Sequence, residues 1–73
     1  MTATQFDALT QLLRLRSGPA RQVARLVLVD GLSVPDAARQ AGLEYTAASQ
    51  AVRRVRAGHA LARTAAGQAQ HDA

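Results

Sequence analysis

The chain contains no cysteine, no lysine, few aromatic residues and no long apolar run. The lack of cysteine excludes disulfides, thiolate chemistry and cysteine-based zinc sites. Phe6 and Tyr45 are the only aromatic residues, so the sequence offers no stacking surface of the kind that RNA-recognition sheets and single-strand grooves use. No apolar run approaches the roughly 18 residues needed to cross a bilayer. We therefore expect a soluble protein that stays in the cytoplasm and has no membrane partner.

The size and charge of the chain narrow its function further. Its 73 residues allow one small domain, and 17 of them are alanine, which adds little bulk to a core. A chain of this length buries only about 60% of its unfolded surface, which argues against most enzymes with a deep pocket. Nine arginines and five acidic residues give a net charge of +4. Nucleic acid or another polyanion is therefore the first partner to test.

Apolar residues recur at helical spacing along the chain, and no strand pattern competes with them. Thr4 resembles the start of a capping box, Pro19 suits a first helical turn, and Gly42 suits a helix end. The predicted helices run from about Gln5 to Leu15, from Pro19 to Asp30-Gly31, from Val34 to Gly42, and from Tyr45 to about Ala57. We assign residues 1–66 to one domain and the polar residues 67–73 to a disordered tail.

The third and fourth predicted helices form a helix-turn-helix pattern. The third is short, is capped by Ser33, and has alanines on its inner face, which lets another helix approach closely. After the turn at Gly42, the fourth helix has a buried stripe and a polar, basic outer face. The sequence therefore predicts an all-α fold, a small four-helix helix-turn-helix DNA-binding domain.

The outer face of the fourth helix carries the candidate DNA-reading residues. Gln50 and Arg54 lie four residues apart and project from one face; glutamine matches the edge of adenine, and arginine that of guanine. Ser49, Arg53 and Thr46 flank them and can reach bases or phosphates. The same stripe is also what the solvated side of an amphipathic helix looks like. Its position in the second helix of the motif favours DNA contact.

Four further residues are candidates at the start of this helix and in the helix before it. Glu44 either accepts a hydrogen bond from a cytosine amino group or faces solvent, where the helix dipole favours a carboxylate. Tyr45 either contacts a phosphate or a thymine methyl group, or covers the small core. Arg39 and Gln40 are candidates for backbone contacts that set the register on DNA.

No combination of residues indicates an enzyme. The sequence has no Ser/His/Asp set, paired carboxylates or glycine-rich phosphate loop in a suitable context. His59 and His71 lie 12 residues apart without partner ligands, so we predict no metal site and no cofactor.

Three stretches carry a resemblance to a known family: TQFDALTQLL, ARLVLVDGLSVPDAARQAGL and ASQAVRRV. Over residues 4–56 the chain is similar to the KorA/TrfB family of plasmid-borne transcriptional repressors, and LVDG and SQAVxRV are its more specific parts. Region 4 of bacterial sigma factors shares the general helix-turn-helix shape. The resemblance implies a small bacterial repressor that binds palindromic operators as a dimer. The family's recognition-helix glutamine and arginine fall on Gln50 and Arg54, whereas Glu44-Tyr45 replaces the usual Thr-Arg and leaves the operator sequence open.

The dimer contact is not evident from the sequence. Leu61 is the only large apolar residue after Val55. Either residues 56–66 extend the last helix into a small dimer contact, or the monomer binds weakly, and we favour a weak or DNA-assisted homodimer. The alternative function is a protein-interaction module that binds a transcription factor or RNA polymerase and has little specific DNA binding of its own.

Overall fold

Four α-helices form the fold: α1 (Ala3–Leu12), α2 (Pro19–Leu28), α3 (Val34–Ala41) and α4 (Tyr45–His71). The computed structural model describes the backbone of residues 1–71 and the side-chain surroundings of residues 1–64. No strand occurs within residues 1–71. The predicted all-α class with four helices is confirmed.

The bounds predicted for α1 were wrong at both ends. Thr2, not Thr4, caps the helix: its side chain accepts from the Gln5 backbone N–H at 3.1 Å, and the Gln5 side chain accepts from the Thr2 N–H at 3.0 Å. This reciprocal capping box satisfies two donors that the helix start leaves free. The helix ends before Leu15 because Arg14 adopts a left-handed conformation with φ 54°. Leu15 then donates its N–H back to the Thr10 carbonyl at 2.9 Å, which closes the end of α1.

The helix-turn-helix forms as predicted. Ser33 caps α3 by accepting from the Asp36 N–H at 3.3 Å. Gly42 ends α3 with φ 69°, a left-handed conformation that glycine adopts without steric cost. Leu43 then donates its N–H to the Ala38 carbonyl at 2.9 Å, which completes the expected helix-ending motif. The chain can therefore turn within three residues into α4.

The core consists of two clusters that share α2 and α4. One joins α2 to the helix-turn-helix, and its buried residues are Val23, Ala37, Ala38, Ala48 and Val52. The other holds α1 against the same pair of helices, with buried residues Phe6, Leu9, Ala24 and Val55. Four of these nine residues are alanines, so helix backbones approach closely and little bulky apolar volume is needed.

The last helix is much longer than the predicted recognition helix, which was placed at Tyr45 to Ala57. Its 27 residues correspond to about 40 Å at 1.5 Å per residue. The molecule is accordingly elongated, with extents of 46 × 20 × 20 Å. Val55 is the last fully buried residue of α4 within the region whose side chains are described. From about Ala60 onward, α4 therefore projects beyond the packed helices.

The segment predicted as a disordered tail begins at residue 67. The backbone is helical to His71, while residues 72 and 73 lie outside the described residues. The division of the chain at residue 66 stays a prediction. None of the helices in the described part is long and apolar enough to cross a membrane.

Candidate nucleic-acid interface

One face of α4 packs into the fold and the other is free. The inner face consists of Ala48, Ala51, Val52 and Val55, which are all buried. At about 100° per residue, the positions opposite them are those of Thr46, Gln50 and Arg53. All three of these side chains are exposed. We call Thr46, Gln50 and Arg53 the polar ridge. It is the part of α4 that points most directly away from the packed helices.

Arg54 lies beside this ridge and not on it. It is about 40° around the helix from Gln50, on the side of α4 that faces the end of α1. One Nη of its guanidinium donates to the carbonyl oxygen of Leu13 at 3.0 Å. The side chain remains exposed. Gln50 and Arg54 therefore share a surface as predicted, but Arg54 makes an intramolecular contact that Gln50 does not.

The contact between α1 and α4 continues one turn further along α4. Gly58 is half-buried, and a Cβ atom built there would lie 3.0 Å from Cδ1 and 3.1 Å from Cδ2 of Leu13. The missing side chain thus makes room for Leu13. The backbone carbonyl and the side chain of Leu13 together hold the end of α1 against the middle of α4.

The supporting helix α3 presents Arg39 and Gln40 to solvent. The Arg39 side chain is 78% exposed and pairs with the carboxylate of Asp36, three residues earlier. The hydrogen bond from Arg39, followed by one from Ser33, holds the pKa of Asp36 below its usual value. Part of the positive charge of Arg39 is therefore balanced within α3.

The residues at the start of α4 face outward as well. Glu44 is exposed, and its carbonyl accepts the first helical hydrogen bond, from the Ala48 N–H at 2.9 Å. Tyr45 is 60% exposed, so its ring is not a cover for the core. Ser49 is half-buried, on the flank of the ridge. The interpretation in which Tyr45 covers the core is therefore wrong, and its contact with DNA stays a prediction.

The charge of α4 is all of one sign. Residues 45–71 include four arginines and two histidines but no acidic residue. A solvated surface helix commonly mixes charges of both signs. In the sequence, Glu44 precedes the helix and Asp72 follows it, and the acid before Glu44 is Asp36, which pairs with Arg39. The outward side of the helix-turn-helix is therefore suited to a polyanion.

The model of the TrfB plasmid transcriptional repressor family, KorA, matches residues 1–72. The chain belongs to this family. No curated protein and no solved structure matches it significantly. The family match confirms the resemblance inferred from residues 4–56 and extends it over α4. This TrfB-family chain is therefore a plasmid transcriptional repressor by family, a class without enzymatic activity as its defining function.

One contact of the TrfB-family chain has no signal in its sequence. The hydrogen bond between Arg54 and Leu13 joins residues 41 positions apart, and no local pattern predicts it. The extension of α4 through residues 56–66 was one of two alternatives that the sequence left open. Half of residues 57–66 are alanine, which has the highest helix propensity, and no proline interrupts them.

Among the described residues, no group of three or more histidine, cysteine, aspartate and glutamate side chains could hold a metal ion.

Proposed function

We propose that this TrfB-family chain is a sequence-specific DNA-binding repressor that inserts residues 45–57 of α4 into the major groove of a palindromic operator. The exposed polar ridge on the second helix of the helix-turn-helix carries this proposal. An α-helix fits the major groove, which is about 12 Å wide. The ridge from Thr46 to Arg53 spans about 10 Å at 1.5 Å per residue, which corresponds to about three base pairs at ~3.4 Å each. The ridge is therefore long enough to contact part of one half-site.

Each exposed side chain of this region has a role that its chemistry suits. Gln50 pairs with the N6 and N7 atoms of adenine, and Arg54 pairs with O6 and N7 of guanine after its guanidinium leaves the Leu13 carbonyl. Arg53 and Thr46 reach bases or phosphates from the ridge, and Ser49 does so from its flank. At the start of α4, Tyr45 contacts a phosphate or a thymine methyl group, and Glu44 accepts a hydrogen bond from a cytosine amino group. In α3, Arg39 and Gln40 contact the phosphate backbone.

A palindromic operator requires two copies of the chain. One helix-turn-helix contacts one half-site, and the two half-sites lie about one helical turn apart. We propose a weak or DNA-assisted homodimer that forms through the projecting half of α4. Leu61 in this half is 71% exposed, as an apolar contact with a second copy requires. A single leucine per copy provides a small contact, which is why the pairing is expected to depend on DNA.

A binding selection with the full chain and random duplex DNA tests the proposal directly. Selected sequences should contain two inverted half-sites at a fixed spacing. Gln50→Ala should relax the preference at one adenine position, whereas Gln22→Ala, an exposed glutamine on α2, should leave every position unchanged. A selection that returns no preferred sequence at moderate salt would refute sequence-specific binding.

The same measurements discriminate the alternative, a module that binds a transcription factor or RNA polymerase. Such a module would bind DNA weakly, without sequence preference and with a strong dependence on salt. The exposed carboxylate of Glu44 is the feature of this chain that favours such a protein-binding module. In that case Glu44→Gln would weaken binding to the purified protein partner and leave DNA binding unchanged or stronger.

A further inference from the structure

Residues 56–64 of α4 have two different edges. Arg56 and Arg63 lie seven residues apart, so they share almost the same direction around the helix. Both are exposed, and we call them the basic edge. Leu61 lies about 140° from Arg56 and about 160° from Arg63 around the helix axis. The apolar contact proposed for the dimer and the basic edge are therefore on different sides of the same segment.

No acidic residue of α4 balances the basic edge. The helix contains none between Tyr45 and His71, so neither arginine has a partner of opposite charge on its own helix. Within residues 1–64, the ion pairs are those of Arg21 with Asp7 and of Arg39 with Asp36. A second copy of α4 would present the same positive charge and would repel the basic edge. Charge complementarity therefore selects a polyanion as the partner of this edge.

The position of the edge identifies which polyanion it meets. Arg63 lies ten residues after Arg53, or about 15 Å further along the helix axis. A helix in the major groove lies between two walls of phosphates, and a side chain about 15 Å past Arg53 lies beyond the bases that the ridge contacts. Arg63 therefore has phosphates and not base edges within reach.

We infer that the basic edge binds backbone phosphates of the operator, Arg56 on the groove wall beside the inserted segment and Arg63 past the bases that the ridge reads. This inference rests on the proposed function, since it presumes that the ridge occupies the groove. The contacts add affinity but no sequence information. They also compensate for the small dimer contact, because each copy is held on DNA by more than its helix-turn-helix.

The test compares two double variants of the full chain that lose the same charge. Arg56→Gln with Arg63→Gln removes the basic edge, and Arg16→Gln with Arg25→Gln removes two other exposed arginines as the control. Affinity for the selected operator is measured from about 50 to 200 mM salt. The two copies together lose four phosphate contacts, which reduces the salt slope by about 3.6, so the wild type should lose about 150-fold more affinity over this range than the basic-edge variant. The control pair should change the slope by much less, and base preference should stay the same in both.

Neutral phosphates provide the second measurement. One operator duplex is unmodified, and the other carries methylphosphonates at backbone positions between the two half-sites, where pairing through Leu61 would place the basic edge. The wild type should bind the modified duplex more weakly, while the basic-edge variant should bind both alike. Equal effects of the two double variants, or a basic-edge variant that still prefers the unmodified duplex, would overturn the inference. A wild type that binds DNA without sequence preference would instead refute the proposed function, while the salt slopes would still test the basic edge.

Discussion

The guanidinium of Arg54 donates a hydrogen bond to the carbonyl oxygen of Leu13 at 3.0 Å and thereby connects α4 to the end of α1. Leu13 is the C-cap residue of α1, and Arg14 after it is left-handed. The acceptor is thus one of the carbonyls that a helix end leaves without an intrahelical partner. The side chain proposed to read guanine therefore has a defined position in the absence of DNA, and α1 sets that position.

Replacement of this arginine should affect DNA binding more than folding. Arg54→Ala should reduce operator affinity by about 1–3 kcal/mol and relax the preference at one base pair. Its hydrogen bond to Leu13 is exposed and should contribute no more than about 1 kcal/mol to the free energy of unfolding. Titration against operators with single base substitutions measures the first effect, and urea denaturation measures the second. Unchanged base preference, with a loss of stability alone, would assign Arg54 a structural role only.

Arg39 should contribute to binding without reading sequence. Arg39→Ala should weaken binding to the operator and to unrelated duplexes by the same factor, since a phosphate contact carries no base information. Asp36→Asn should have the opposite effect on all sequences, because it removes the carboxylate that pairs with Arg39. Competition assays with specific and random duplexes measure both. If either variant changed the ratio of specific to non-specific affinity, the assignment of Arg39 to the backbone would be wrong.

The same carboxylate should make folding stability depend on pH at the acidic end. Hydrogen bonds from Arg39 and Ser33 lower the pKa of Asp36 in the folded protein relative to 3.8. A lowered folded pKa means that this contribution to stability is present above the unfolded pKa and is lost as pH falls through the folded pKa. The stability difference between wild type and Asp36→Asn should therefore shrink from pH 5 to pH 3. Arg39→Gln removes the main cause of the shift, so the two substitutions should not be additive.

The sequence predicted those elements whose signals are local. Ser33, Pro35 and Gly42 define both ends of α3 within a few residues, and the buried stripe of α4 follows from its spacing. The end of α1 was missed because Arg14 takes a left-handed conformation that is usual for glycine and rare for arginine. The conformation of Arg14 depends on how Leu13 and Leu15 pack against the core cluster that holds α1, and no local pattern encodes this packing. The hydrogen bond from Arg54 to Leu13 was missed for the same reason, because it depends on how α1 packs against α4.

Gly58 should be required for the end of α1 to pack closely against α4. Gly58→Val should reduce the free energy of unfolding by about 1–3 kcal/mol, because its side chain would occupy the space of the Leu13 methyl groups. Ala60→Val, an exposed position on the same helix, is the matched control and should cost less than about 1 kcal/mol through helix propensity alone. Leu13→Ala should recover part of the loss in the Gly58→Val background. Equal losses at positions 58 and 60 would show that the contact with Leu13 is not tight.

Leu61 should affect pairing on DNA and not the fold. Leu61→Gln replaces a side chain that is 71% exposed, so the stability of the monomer should change by no more than about 0.5 kcal/mol. Binding to a single half-site should be unchanged, whereas cooperative binding to two half-sites should weaken, since the apolar contact between the copies is lost. Leu12→Gln, which alters a leucine that is 74% exposed on α1, is the control and should retain cooperativity. Loss of cooperativity in the Leu12 variant instead would move the dimer contact from α4 to the end of α1. That outcome would also place the contact beside the Leu13 carbonyl and couple pairing to the position of Arg54.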